Sequence, residues 1–208
     1  MITTTIQSLA DWLKQNVCSK VQLKVPDDYA NDEGYSVKLV HPAAFPLYVP
    51  AKDRLPPKVP APVPAVCVQM VETTDKLFEQ TRTYSIRLVF TCWNPGTHGD
   101  ETYNQVENKG ALGGFSYFLR NDEEAQSYER NMEGWKDSMN FLNTALNELE
   151  KTQHFAGGRL MKESEIKFGL FSEEGDVCDY YPYWHSWITF QFEAGISQKN
   201  PAEYSKYL

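Results

Sequence analysis

Two stretches of the chain repeat their apolar residues every three or four positions, which is the spacing of one face of an amphipathic helix. In residues 3–17 the repeat consists of Ile6, Leu9, Leu13 and Val17. Thr4 or Thr5 is expected to cap this helix, because a hydroxyl can accept a hydrogen bond from the backbone N–H groups of the first turn. The second repeat consists of Trp135, Met139, Leu142, Leu146 and Leu149. This longer helix is expected to end at Gly157-Gly158 and to cover one face of a sheet.

Between and after the helices, apolar and polar residues follow the patterns of β-strands. The segments with period-two alternation or a short apolar run are 21–25, 35–39, 65–71, 84–90, 166–170 and 184–192. Segment 65–71 is almost continuously apolar, which is typical of a central strand. A polar turn around 73–83 joins it to the next strand in a predicted hairpin of long strands. These patterns predict one α+β domain over residues 1–208, with an antiparallel-rich sheet, an N-terminal helix and one long helix packed on a face.

The last predicted strand has an unusually aromatic second face. The residues expected on its core face are Trp184, Ile188, Phe190 and Phe192. The residues expected on the opposite face are Tyr183, His185, Trp187, Thr189 and Gln191. An exposed apolar strip of this kind usually marks a contact surface. Tyr183, His185 and Trp187 are therefore candidate partner-contact residues.

Residues 41–64 contain eight prolines and cannot form a regular helix or a central strand, because proline lacks the backbone N–H group. The segment is expected to run extended over a surface. Proline-rich segments can also be ligands for aromatic grooves. A connector laid along its own domain is the favoured interpretation, because the segment also carries apolar anchors. These anchors are Phe45, Leu47, Tyr48 and Val49.

Residues 94–131 are predicted to form a long loop. The Asn-Pro-Gly sequence at 94–96 ends the preceding strand, and the glycines at 110–114 are interpreted as a hinge. A loop of this length is uncommon in a compact domain unless it binds something or becomes ordered on assembly. The candidate partner-contact residues in this loop are Phe115, Tyr117 and Phe118. An equally weighted alternative is that these aromatic residues pack the loop against its own body.

The composition excludes several classes of protein. The chain has 208 residues, of which 41% are hydrophobic and 13% aromatic. A single core can therefore stabilise it without the disulfides or metal ions that small domains need. The formal net charge is -8, and no basic run is present, so sequence-specific binding of nucleic acid is not expected. No stretch approaches the roughly 20 apolar residues of a membrane span. Asp11 and Lys14 interrupt the apolar residues that an N-terminal signal peptide would need. We expect a protein made in the cytoplasm, without a membrane partner.

The familiar patterns of catalytic and cofactor sites are not found along the chain. The cysteines, which lie too far apart in sequence for a zinc or redox motif, are Cys18, Cys67, Cys92 and Cys178. We interpret them as buried thiols. The four histidines are dispersed, and no nucleophile elbow, P-loop or dinucleotide motif occurs. The paired acids at 27–28, 123–124 and 173–174 are typical of solvated loops. The sequence predicts a protein that is not an enzyme and has no metal or cofactor; the alternative is a hydrolase with an unrecognised acidic site.

Five short phrases of the sequence, in this order and spacing, resemble one family of proteins. They are LADWL at 9–13, VPAKDRLPP at 49–57, WNPGTHG at 93–99, GWKD at 134–137 and DYYPYW at 179–184. The family is the tail terminator, or tail completion, proteins of tailed phages and related prophage particles, in the branch found with Firmicutes-type hosts. The phrases span nearly the whole chain. The Pro-rich segment and the long loop depart from the short members of the group.

The resemblance implies an α+β subunit of a virion that forms a hexameric ring on the head-proximal end of the tail tube. Such a ring stops tube polymerisation and meets the neck of the capsid. The implied partners are further copies of the chain, the tube protein, a neck or head-completion protein and, if the tail is contractile, a sheath protein. DNA would pass through the ring without sequence-specific binding, which suits an acidic chain. A neck, head-completion or tube protein of the same particle is the alternative.

Overall fold

The computed structural model describes residues 2–28, 38–95, 134–161, 165–173 and 180–195, and the backbone of 103–107, 115–119 and 176–177. The helices of the described residues are α1, Ile2–Asn16, and α2, Trp135–Lys151. Short 3-10 turns occur at Cys18–Lys20 and Lys52–Arg54.

The strands are numbered in chain order. They are β1 Leu23–Lys24, β2 Leu39–Val40, β3 Ala43–Pro46, β4 Ala65–Lys76, β5 Thr81–Trp93, β6 Tyr103–Glu107, β7 Phe115–Leu119, β8 His154–Phe155, β9 Gly158–Leu160, β10 Lys167–Leu170, β11 Ser172–Glu173, β12 Asp176–Val177 and β13 Tyr183–Gly195.

The main sheet of the described residues contains seven strands. Six of them follow the order β3-β4-β5-β13-β9-β8, and the seventh, β10, pairs with residues 186–189 of β13. Among the described strands of this sheet, only the β3-β4 pair is parallel. Its centre is the β4-β5 hairpin together with β13. Strand β13 pairs with β5 along its whole length, from the Tyr183–Trp93 pair to the Gly195–Thr81 pair. The described residues therefore form an α+β fold with a mostly antiparallel sheet, and the predicted fold class is confirmed.

Both helices pack on one face of this sheet, which we call the core face. Helix α1 lies over β3 and β4, and α2 lies over β5 and β13. Side chains from the three central strands meet there in rows, such as Val68, Leu88 and Ile188. The largest buried side chains are Phe90, Phe141, Phe190, Phe192, Leu9, Leu13, Ile86, Leu88, Leu142, Leu149, Ile188 and Val17. This single layer of apolar packing holds the helices on the sheet.

The first helix has the predicted buried face, but its predicted cap is wrong. Helix α1 begins at Ile2, so Thr4 and Thr5 lie inside its first two turns. Neither residue is at the position before the first turn, from which a side chain caps the backbone N–H groups. The Thr5 hydroxyl instead lies 3.4 Å from the Tyr84 hydroxyl of β5.

Helix α2 begins where the pattern predicted, but it ends earlier. Its last residue is Lys151, so the predicted end at Gly157-Gly158 is wrong. Gly157 has a φ of 79° and lies in the turn between β8 and β9, where a left-handed residue is needed. The buried face is also rotated from the predicted one. Trp135 is exposed, while Phe141 and Ala145 are fully buried.

The predicted central hairpin is present, and its turn differs from the prediction. Strands β4 and β5 extend to Lys76 and Thr81, so the turn is only residues 77–80. Leu77 and Phe78 occupy this turn and are 79% and 100% exposed. The expectation of a polar turn is therefore wrong at these two positions. We call Leu77 and Phe78 the hairpin tip.

The short predicted strands are shorter still in the structure. Strand β1 has two residues within segment 21–25, and β2 has Leu39 and Val40. Residues 35–37 of the second predicted strand lie outside the described residues. Strand β10 occupies part of segment 166–170, but its Phe168 is exposed.

The Pro-rich segment 41–64 supplies an edge strand and a connector. Strand β3 forms the edge of the sheet, a place where proline is tolerated because the outer N–H positions need no partner. Phe45 is buried, as expected of an anchor. Leu47 and Tyr48 are exposed, so the expectation that they pack the segment down is wrong.

The predicted long loop 94–131 contains strand structure. Strands β6 and β7 pair antiparallel from Tyr103–Leu119 to Glu107–Phe115. Asn94 and Pro95 are also described, whereas the glycines at 110–114 lie outside the described residues.

Candidate contact surface on the outer face of the sheet

The outer face of the sheet is the face turned away from the helices, and its chemistry changes along the strands. In strand order, its rows are Tyr183 beside Trp93, then His185, Thr91 and Ala65, then Trp187, Val89, Cys67 and Phe45, then Thr189, Arg87 and Gln69. The first and third rows are aromatic or apolar, the second is mixed and the fourth is polar. Trp93, Ala65, Cys67 and Phe45 of these rows are buried. Tyr183 is exposed, so the accessible aromatic surface of these rows lies at the Tyr183 end.

An exposed aromatic cluster lies at this end of the sheet. We call Phe171, Tyr180, Tyr183 and His185 the aromatic end patch. The Phe171 and Tyr180 rings are 6.0 Å apart, and the Tyr180 and His185 rings meet edge-on at 5.5 Å. Phe171, Tyr180 and Tyr183 keep 38%, 44% and 37% of their surface exposed. Clustered exposed aromatics are typical of protein contact surfaces.

Backbone and side-chain hydrogen bonds hold the patch in one shape. The Tyr183 N–H donates to the Tyr180 carbonyl at 2.8 Å, and the Phe171 N–H donates to the His185 carbonyl at 3.0 Å. His185 Nδ1 lies 3.0 Å from the Thr91 hydroxyl on β5. Burial lowers the pKa of His185 below its ordinary value, so the ring is neutral near pH 7. The patch is thus a preorganised and uncharged surface.

Trp187 serves mainly to join two strands. Its indole N–H donates to the Leu170 carbonyl of β10 at 3.1 Å, and its ring passes over Gly169. The side chain is half-buried, so the outer face at this row is less exposed than the alternation suggested. Trp187 supports the patch from the side and stays a candidate contact.

At the same end of the sheet, Asn94 joins three parts of the fold. Its side chain accepts a hydrogen bond from Lys24 Nζ and donates one to the Asp137 carboxylate, each at 2.7 Å. Its carbonyl accepts the Trp184 indole N–H at 2.9 Å, and its N–H donates to the Pro182 carbonyl at 3.0 Å. Asn94 thereby fixes the start of β13 against the end of β5 and the start of α2.

The structure brings some of the candidate residues together. Tyr183 and His185 belong to one patch, and Trp187 follows on the same face. Phe115, Tyr117 and Phe118 lie in β7, which pairs only with β6 among the described strands. The side chains of these three residues lie outside the described part of the structure.

Sequence reasoning missed two members of the patch and the hairpin tip. Phe171 and Tyr180 lie outside the alternating runs, so period-two alternation gave no signal for them. Leu77 and Phe78 stand among polar residues in a turn, and an adjacent Leu-Phe pair in a predicted turn was the available signal.

The described thiols are buried and poorly reactive. Burial raises the pKa of Cys67 to about 11 and that of Cys18 to about 12. It raises the pKa of Cys92 as well. Such thiols are protonated at neutral pH, and the thiolate is the nucleophilic form. The prediction of buried thiols is confirmed for these three cysteines, and Cys178 lies outside the described residues.

Within the described residues, no group of three or more His, Cys, Asp or Glu side chains is placed to hold a metal ion. None of the described helices is long and apolar enough to cross a membrane. Comparisons of the chain with protein-family models, with curated proteins and with solved structures find no match.

Proposed function

We propose that this chain is a structural subunit of a phage-type tail. It assembles as a ring on the head-proximal end of the tail tube, stops tube polymerisation and joins the tail to the neck. Its partners are further copies of itself, the tube protein and a neck protein. It is made in the host cytoplasm and acts in the virion, without enzymatic activity or a cofactor.

The observation that carries this proposal is the aromatic end patch. Its exposed aromatic side chains are Phe171, Tyr180 and Tyr183, and the His185 ring meets Tyr180 edge-on. Aromatic anchors on a preformed surface supply much of the binding energy of protein interfaces. A subunit that binds other subunits needs such a surface.

The positions of the resembling phrases give a second support. Described residues of three of the five phrases, Asn94, Asp137 and Trp184, share the hydrogen-bond cluster around Asn94. Pro182 and Trp184 of this cluster flank Tyr183 of the aromatic end patch in the sequence. The similarity therefore falls on the part of the fold that shapes the candidate contact.

The test is to mix the purified protein with tail tubes assembled from the tube protein of the same particle. Negative-stain electron microscopy is expected to reveal a cap at one tube end, and elongation assays are expected to reveal arrested growth. Tyr183→Ser should weaken capping at least about tenfold without unfolding the protein, because Tyr183 is exposed and contributes contact area. Phe168→Ser is the matched control, since Phe168 is an exposed aromatic residue outside the patch.

The other outcomes each contradict the proposal in a specific way. Binding along the whole tube length would make the chain a tube subunit. Binding to heads but not to tubes would make it a neck or head-completion protein. Absence of binding to either would remove the phage-tail assignment.

A further inference from the structure

The hairpin tip is the most exposed apolar feature of the described residues. Leu77 and Phe78 are adjacent, and the Phe78 side chain has no contact that removes it from water. Turns of hairpins are usually built from Gly, Asn, Asp, Pro and Ser, each for a backbone reason. Here Gln80 takes the left-handed conformation at φ 52°, so the turn does not need Leu or Phe for its shape.

Ion pairs and strand pairing support the base of the tip, which extends beyond the core. Arg82 on β5 forms a bidentate pair with Asp75 on β4, directly behind the turn. Lys76 and Glu79 pair at 3.3 Å across the turn itself. Strand β13 supports β5 as far as Thr81. A backbone that is held at the base of the turn has less conformational freedom to lose on binding, which favours association.

The hairpin tip and the aromatic end patch lie at opposite ends of the same strands. Strand β5 has 13 residues, with Thr81 at the tip and Trp93 beside Tyr183 of the patch. At about 3.3 Å per residue the two features are separated by about 40 Å. Two different apolar surfaces at opposite ends of one molecule are the requirement for a head-to-tail contact between identical copies.

We propose that the hairpin tip of one copy docks on the aromatic end patch of a second copy, with Phe78 against the Tyr180 and Tyr183 rings. Both surfaces are apolar and rimmed by polar groups, and aromatic pairs add a preferred geometry to the burial of area. This inference deepens the proposed function, on which it rests for the closure of the contacts into a ring. A contact of this type closes into a ring or continues as a filament, according to the rotation between copies.

A lipid surface is a less suitable occupant for the tip. Only two apolar residues are available, and charged residues flank them within one position on each side. The net charge of -8 also opposes approach to an anionic bilayer. The exposed aromatic patch on the same chain, in contrast, offers a surface of matching chemistry.

The first experiment measures self-association by sedimentation velocity over a wide range of protein concentration. The wild-type mass is expected to rise with concentration. Phe78→Ser should weaken association about tenfold or more, because an aromatic anchor at the centre of a contact is removed. The matched control is Val71→Thr, an exposed apolar residue on the same hairpin but away from the turn.

A mixing experiment tests the pairing of the two surfaces. Phe78→Ser removes the tip and keeps the patch, whereas a Tyr180→Ser/Tyr183→Ser variant removes the patch and keeps the tip. Neither variant should associate alone. Mixed together, they should form a 1:1 dimer and nothing larger, since only one productive contact remains. Thermal unfolding of each variant checks that its fold is intact.

Several results would overturn the inference. They are a wild type that stays monomeric at every concentration, association unchanged by Phe78→Ser, or a mixture that forms no dimer. Flotation of the wild type with anionic vesicles, lost in Phe78→Ser without any self-association, would assign the tip to a membrane instead. Tube capping by Phe78→Ser at wild-type strength, with unchanged association, would reject this inference and leave the proposed function standing. Tip-dependent association without tube capping would support this inference and reject the proposed function.

Discussion

At the scale of single residues, Gly134 is the most tightly constrained position near the contact surface. A Cβ atom added there would lie 2.2 Å from the Trp184 indole nitrogen and 2.4 Å from the Asn94 carbonyl oxygen. Those two atoms are hydrogen-bonded to each other at 2.9 Å. Gly134 therefore permits the close approach of the start of α2 to the ends of β5 and β13.

We predict that Gly134→Ala destabilises the protein by about 1–3 kcal/mol, because overpacking forces neighbouring groups to shift and here disturbs a hydrogen bond. Urea unfolding followed by tryptophan fluorescence measures the change. Gly195→Ala is the control, since a Cβ atom at Gly195 meets nothing within 4 Å. Equal stability of the Gly134 variant and the wild type would show that the Asn94 cluster is looser than the structure indicates.

At the scale of elements, a carboxylate joins α2 to the segment that follows α1. Glu148 lies 2.8 Å from Lys20 Nζ and 2.7 Å from Lys151 Nζ. Hydrogen bonds from Lys151 and Lys20 lower the pKa of Glu148 from its ordinary value of 4.5. Since the folded pKa is the lower one, this contribution to stability is complete above pH 4.5 and is lost as the pH falls through the folded pKa.

We predict that Glu148→Gln lowers the thermal midpoint at pH 7 and flattens its decline below pH 4.5. Because the pKa of Glu148 is lower in the folded than in the unfolded state, Glu148 takes up a proton when the protein unfolds in acid, and the variant removes this group. Thermal melts from pH 7 to pH 3 measure both effects. Glu150→Gln should leave the profile close to that of the wild type, because Glu150 is exposed on the other side of α2. Parallel profiles for Glu148→Gln and the wild type would refute the linkage.

The elements also differ in how well they could be foreseen. Helix α1 has its buried residues where the apolar repeat placed them, since a helix packed on one side needs only one apolar face. In α2 the residues at Ser138 and Glu148 are buried and polar, which no apolar repeat can reveal. Ser138 is buried because its hydroxyl pairs with that of Ser186 at 2.8 Å. The hydrogen-bond partner that allows Ser138 to be buried, Ser186, is distant in sequence.

At the scale of the whole molecule, the described body brings Asn94 and Gly134 to almost the same point. The two ends of the intervening segment are held together by the body of the protein itself. The described body therefore needs no contact from that segment to keep its own ends in place. Loop closure by a short linker would cost little extra entropy.

We predict that replacing residues 97–131 by a short Gly-Ser linker leaves the body folded. The helix content of the body by circular dichroism and the cooperativity of its unfolding should be retained. Capping of tail tubes should be lost if Phe115, Tyr117 and Phe118 make partner contacts, and retained if they do not. An unfolded deletion variant would show that the segment is part of the core.

By itself the sequence determined the α+β fold class, the two helices and the central hairpin. It did so because helical and alternating repeats record which side of an element is turned away from water. Tertiary structure alone decided which residues share a surface. Phe171 and Tyr180 join Tyr183 and His185 only after β10 and β13 pair, and the hairpin tip opposes the patch only because β5 runs unbroken between them. These relations depend on strand pairing between distant segments, and a local pattern contains no information about its distant partner.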